Sequence, residues 1–169
     1  MGNEHGLSAS NLRDRLQTFA GREGIKKWDL GAACSEDCSV QVDRGDAKQM
    51  KAAQRSSITV RVWNSQGLVG ITSTTDLSDE GLEQALQGAH AASHFGNADD
   101  VPEFSPLATA PLPELNRPLK QRQGILPLLE TLREAEADLL ARHPSIQTVP
   151  YNGLAESLSQ SLYLNSEGA

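Results

Sequence analysis

The chain is poor in aromatic side chains, in cysteine, in basic charge and in long apolar runs, and each shortage narrows what it can be. Aromatics make up 4% of the 169 residues: Phe19, Trp28, Trp63, Phe95, Phe104, Tyr151 and Tyr163. So few rings must share the interior with Leu, Val, Ile and Ala, which predicts thin two-layer packing and not one bulky core. Two cysteines, Cys34 and Cys38, are too few for a disulfide framework. No stretch approaches the roughly 18 apolar residues of a membrane helix, so a membrane is not an expected partner. The opening MGNEHGLSAS has neither the basic nor the apolar region of a secretion signal, and a cytoplasmic location is expected. Gly6 stands where a myristoylation signal beginning at Gly2 needs Ser or Thr. Fifteen Lys and Arg against 22 Asp and Glu leave a net charge of -7. No basic cluster is dense enough to displace counterions from a phosphate backbone, so nucleic acid is a poor partner.

What is present suits a soluble globular protein: 38% hydrophobic and 22% charged residues. A globule of this length buries roughly 68–70% of its unfolded surface and needs no metal or disulfide staple. Between Leu7 and Ile25, Leu12, Leu16, Phe19 and Ala20 recur at helical spacing, with Ser8 or Ser10 as a cap and Gly24 as a stop. From Trp28 to Gln54 the pattern alternates, with Cys38, Val40 and Val42 on one side and Ser39, Gln41 and Asp43 on the other, which predicts half-buried strands. Ile58, Val60 and Val62 continue the alternation. Asn64-Ser65-Gln66-Gly67 then supplies turn residues before the extended run Leu68 to Ser73, which predicts a β-hairpin.

A second helix is announced by Thr75 to Glu80, where Ser78 can cap, Asp79 and Glu80 suit the positive end of the dipole, and Leu77 can staple onto Leu82. Leu82, Ala85, Leu86 and Ala89 form a narrow small-residue face suited to lying close on a sheet, and Gly96-Asn97 ends the helix. Pro102, Pro106, Pro111, Pro113 and Pro118 mark a semi-extended linker. A third helix is expected with Pro127 in its first turn and Leu128, Leu132, Ala135 and Leu139 as its stripe, closed by His143-Pro144. Ile146 to Tyr151 and Ser157 to Leu164 are expected strands, but one helix and two strands make a poor core, so the last unit reads as unfinished. The expected architecture is α+β: a two-layer sandwich of antiparallel strands with helices on one face, followed by the start of a second α+β domain. The divisions are 1–97 for an amino-terminal domain, 98–118 for the linker and 119–169 for the start of a middle domain.

Several constellations could carry chemistry. Cys34 and Cys38 enclose a three-residue spacer that suits a metal if the chain curls there and further ligands arrive, or a redox pair, although two ordinary reduced thiols account for it in a cytoplasmic protein. His90 and His94 stand four apart on the second helix and share a face, as two zinc ligands on a helix would. The same spacing fits a surface pair near a helix C-terminus. A joint Cys34, Cys38, His90, His94 zinc site would tie the first strands to that helix. Asp76, Asp79 and Glu80 are explained by capping rather than as an acid/base set. Gly67 and Gly70 lack the Lys-Ser/Thr of a phosphate loop, and no Gly-x-Ser-x-Gly elbow occurs. Arg61 reads as solvated on the exposed strand face.

The Thr59-Val60-Arg61-Val62 strand, Gly67, Gly70 and Ser73-Thr74-Thr75-Asp76-Leu77-Ser78 before an alanine-rich helix resemble the amino-terminal region of the TldD/PmbA (TldE) metalloprotease family. The resemblance is best from Trp28 to Phe95, and the Ser-Thr-Thr-Asp-Leu-Ser stretch looks closer to the PmbA type. It implies a longer protein of about three parts. In the family, TldD-type subunits bind zinc through a His-Glu-x-x-x-His helix in their later half and cleave unfolded peptides. PmbA/TldE-type subunits lack the zinc ligands and pair with them. The resemblance therefore implies a TldD-type partner in a hetero- or homo-dimer, an unfolded peptide as substrate, and zinc in the catalytic subunit. The alternatives are the TldD type itself, with its zinc site beyond residue 169, and a non-enzymatic binding module. Neither His-Glu-x-x-x-His nor His-Glu-x-x-His occurs in the sequence, so no catalytic, cofactor-binding or metal residue is carried over. An acidic, patch-poor chain also gives no physical support to the family's older description as a modulator of DNA gyrase.

Overall fold

The computed structural model describes residues 8–99, 101–110 and 122–169. Its elements are α1 (Ala9–Arg22), β1 (Lys27–Asp43), β2 (Asp46–Trp63), β3 (Val69–Thr74), α2 (Asp79–Ser93), α3 (Ile125–Ala141) and β4 (Gly153–Asn165). The strands form one antiparallel sheet in the order β3-β2-β1-β4, and the fold is α+β, as the sequence predicts. Contacts divide the chain into two compact units. The first takes the described residues of 1–34, 55–115 and 160–169, and the second those of 35–54 and 116–159.

In the first unit, α1 and α2 cover one side of the sheet. Leu12, Leu16, Phe19 and Ala20 of α1 pack with Leu82, Ala85, Leu86 and Ala89 of α2 against Trp28, Leu30, Ala32, Ile58, Val60, Val62 and Leu164. These are the alternate positions the strand pattern assigns to one face. The end of α1 closes as expected at Gly24, whose φ is +70°. Ile25 N donates to Ala20 O at 2.9 Å and Gly24 N to Gly21 O at 3.4 Å, the pair of bonds that satisfies the last carbonyls of a helix. Ser78 caps α2, accepting from Gly81 N at 3.1 Å. The β2–β3 hairpin is also present, with Ile58 opposite Thr74 and Trp63 opposite Val69. Gly70 is required there: a Cβ at this position would lie 1.9 Å from the Ala89 carbonyl oxygen of α2.

In the second unit, α3 lays Leu128, Leu129 and Leu132 on Cys38, Val40 and Val42. Glu136 is 2% exposed and accepts from Arg44 N at 3.1 Å and Gly45 N at 2.7 Å. It thereby satisfies the turn that joins β1 to β2. Arg44 (φ 54°) and Gly45 (φ 81°) form that turn, both with the positive φ that a two-residue type I′ connection requires.

The strands expected from Trp28 to Gln54 are β1 and the start of β2, joined by the Arg44-Gly45 turn. Two expectations need correction. Ala135 and Leu139 do not belong to the stripe of α3; they are exposed, and Leu129 and Glu136 take the buried positions. Ile146 to Tyr151 is irregular and β4 begins at Gly153, because Pro144 and Pro150 withdraw amide donors that a ladder would use. Within the expected linker, residues 100 and 111–118 lie outside the described residues, as do Gly2 and Gly6.

Candidate functional site

The first unit holds a cavity of about 510 Å³. Its walls come from the turn after α1 (Gly24 to Lys27), the β2–β3 turn (Asn64, Ser65, Gly67), the last turn of α2 (His90, His94), Trp63 and Glu103. Each wall has a local cause. The α1 stop at Gly24 swings Lys26 and Lys27 into place. Asn64 shapes its own turn, its Oδ1 accepting from Gln66 N at 2.9 Å and Leu68 N at 3.0 Å. Its Nδ2 donates to Ser93 O at 3.0 Å, tying that turn to the end of α2.

Trp63 is 5% exposed and donates from Nε1 to Pro102 O at 2.9 Å. Phe104 meets it edge-on at 5.0 Å, the arrangement aromatic quadrupoles favour. Lys27 stands 5.0 Å from both ring centroids and pairs with Glu103. His90 and His94 face each other with centroids 5.5 Å apart and planes at 40°. Two imidazoles, two ammonium groups and one carboxylate thus line a cavity in a protein of net charge -7. This is binding chemistry.

A second polar arrangement lies on the sheet face that the helices leave uncovered. Arg61 is not solvated, as its strand position predicts, but paired with Asp29, which is 2% exposed. Arg61 Nε donates to Asp29 Oδ1 at 2.9 Å, and Nη2 donates to Oδ2. The Tyr163 hydroxyl donates to the same Oδ2 at 3.0 Å. The Asp29 bond raises the Arg61 pKa. Burial, and next the bond to Asp29, push the Tyr163 phenol above its ordinary value of 10.0.

In the second unit, Arg122 donates to Cys38 Sγ at 3.8 Å and pairs with Glu36. Cys38 Sγ also lies 3.9 Å from Glu156, whose oxygens accept from Gln123 N and Gly124 N.

Cys34 and Cys38 stand in one extended strand, which separates their Cα atoms by about 13 Å. The chain does not curl there, so the two thiols cannot share a metal. Among the described residues no three His, Cys, Asp or Glu side chains converge on a point, and the four-residue Cys/His site is not formed. Asp76 caps locally, accepting from Ser78 N at 2.9 Å, which lowers its carboxyl pKa. Asp79 begins α2 and pairs with Arg15. Sequence reasoning missed Asp29 and the cavity. A charged residue at the third position of a strand, framed by Trp28 and Leu30, is the signal for the first. The cavity depends on approaches between distant turns and left no local signal.

No helix among the described residues is long and apolar enough to cross a membrane. No curated protein matches the chain. Residues 35–93 match PmbA/TldA metallopeptidase domain 1. Among solved structures, the chain resembles a protein from Bacteroides thetaiotaomicron described as a candidate modulator of DNA gyrase. That alignment has a TM-score of 0.72 and 15% identity, covering 95% of this chain and 37% of the other. A candidate modulator of a DNA gyrase from Thermotoga maritima aligns with a TM-score of 0.66 and 15% identity, over 96% and 36%. TldE from Thermococcus kodakarensis aligns with a TM-score of 0.56 and 18% identity, over 93% and 35%. The chain therefore spans little more than a third of the length of these proteins, with which it shares the fold. Over residues 35–93 it is similar to the first domain of the PmbA/TldA metallopeptidases.

Proposed function

We propose that the chain is the amino-terminal scaffold of a PmbA/TldE-like subunit, the non-catalytic partner of a TldD-type zinc metallopeptidase that degrades or matures unfolded peptides in the cytoplasm. Its divisions at 1–97, 98–118 and 119–169 belong to the same reading. The observation that carries it is the open edge of β2. Among the described residues, β3 pairs with β2 only from Ile58 onward, so the outer side of Asp46–Ser57 carries no neighbouring strand. Such an edge can take up an extended peptide through main-chain hydrogen bonds, which do not depend on the peptide's sequence. That indifference suits the handling of unfolded chains.

The residues present do not fit a catalytic zinc. The sequence has no His-Glu-x-x-x-His, and among the described residues no third ligand joins the histidine pair. In this reading peptide cleavage belongs to the partner, and the Ser-Thr-Thr-Asp-Leu-Ser stretch and the likeness to TldE support that division of labour.

The test is to co-express the polypeptide that carries this chain with a TldD-type subunit and to assay cleavage of an unstructured peptide. Co-elution, with cleavage only when both are present, is expected. Cleavage by this polypeptide alone would move it to the catalytic type, and failure to associate would remove the partner role.

A further inference from the structure

We propose that the cavity at the end of α2 binds a carboxylate, the one that ends a peptide chain. The ligand class rests on the peptide-handling role proposed above, and the chemistry on the donors that the cavity leaves unused. Among the described residues, the Lys26 ammonium, the Ser65 hydroxyl and the imidazoles of His90 and His94 have no hydrogen-bond or ion-pair partner in the protein, and all four residues line the cavity. The acceptors around them are already engaged. Glu103 pairs with Lys27, and Asn64 Oδ1 accepts from Gln66 N and Leu68 N. The carbonyls of Ala91, Ala92 and Ser93 accept from His94 N, Phe95 N and Gly96 N at 3.3, 3.0 and 3.1 Å, which satisfies the end of α2 and blunts its negative pole. A neutral imidazole still presents one N–H. The spare capacity of the cavity is therefore mostly that of a donor, and its complement is an anionic acceptor.

Charge and size narrow the anion. Glu103 offsets Lys27, so Lys26 brings the uncompensated full charge among the described lining residues. One such charge matches a carboxylate better than a phosphate dianion. The volume of about 510 Å³ falls in the range of clefts that hold organic ligands and far exceeds what a bare ion fills. Ile25 and Trp63 give an apolar wall for the residue that bears the carboxylate. Capture of a chain end by converging donors is a recurring mode of peptide recognition.

Fluorescence polarisation tests this on the polypeptide that carries the chain, with an amino-terminally labelled Gly/Ser/Ala peptide whose carboxyl end is free or amidated. Amidation should weaken binding by about tenfold. Lys26→Met should weaken the free-ended peptide by a similar factor and leave the amidated one unchanged, while Lys26→Arg keeps the preference. Lys26 and Ser65 are exposed, so Ser65→Ala serves as a second variant, and circular dichroism establishes that each folds. Equal affinity for the two peptides would overturn the site and leave the peptide-handling role standing. Displacement of the labelled peptide by acetate or inorganic phosphate, as readily as by its unlabelled form, would assign the cavity to small free anions and overturn the peptide end. Absence of binding by the free-ended peptide at millimolar concentration would also overturn the site, with the partner role judged separately by co-elution.

Discussion

Asp29 is a carboxylate almost closed off from water, held by two Arg61 donors and the Tyr163 hydroxyl. The two ends of this pair are not equivalent. Removing Arg61 leaves a buried anion with one neutral donor, whereas removing Asp29 frees a guanidinium whose side chain is 29% exposed and can reach water. Arg61→Ala should therefore cost about 3 kcal/mol in denaturant unfolding, and Asp29→Ala less, about 1–2 kcal/mol. Equal costs would show that the charge is not effectively buried. Tyr163 supplies a pH readout. Its phenol is raised in the folded state, so its contribution to stability is complete below pH 10.0 and disappears as pH rises through the folded value. Absorbance titration of phenolate in a Tyr151→Phe background should give a midpoint above 10.0. Alternation along β2 correctly set Arg61 on the far face, but period two says nothing of which strand lies alongside. Its partner, 32 positions earlier in the chain, was therefore invisible.

Elements were legible where their signals were local. The Ser78 cap, the Gly24 stop and the Asn64–Gly67 turn each act within a few residues, and each stands where the sequence puts it. The Arg44-Gly45 turn was missed because Arg is not a usual positive-φ residue. Its conformation is secured from a distance by Glu136, which the helical pattern of α3 did not mark as buried. The approach of α2 to β3 was foreseen from its small residues, and Gly70 shows how tight that approach is. Gly70→Ala drives a methyl group into backbone atoms of Ala89, Ala92 and Ser93. None of these can yield as a flexible side chain would, so a loss of about 3 kcal/mol or more is expected in thermal or denaturant unfolding. A near-neutral result would mean that α2 can slide on the sheet.

At the scale of the molecule, the edge of β2 is both an opportunity and a hazard. Lys48 and Lys51 are exposed on it, and charged edge residues discourage a strand from pairing with another copy of itself. Lys48→Val/Lys51→Val should raise the apparent mass in light scattering at moderate concentration, while the helix content stays unchanged. An unaltered mass would show that the edge is guarded by something else.

Among the described residues the cores of the two units differ in size: sixteen buried apolar residues cluster in the first and six in the second. A thinner core has less apolar burial to set against chain entropy, so the second unit should open at lower temperature. Both tryptophans of the chain, Trp28 and Trp63, are buried in the first unit. Indole emission is consequently blind to that opening, while the loss of α3 registers in far-ultraviolet ellipticity. Heating followed by both signals should give an ellipticity change that precedes the fluorescence change. A stability judged by tryptophan light alone would describe only the sturdier part of the protein.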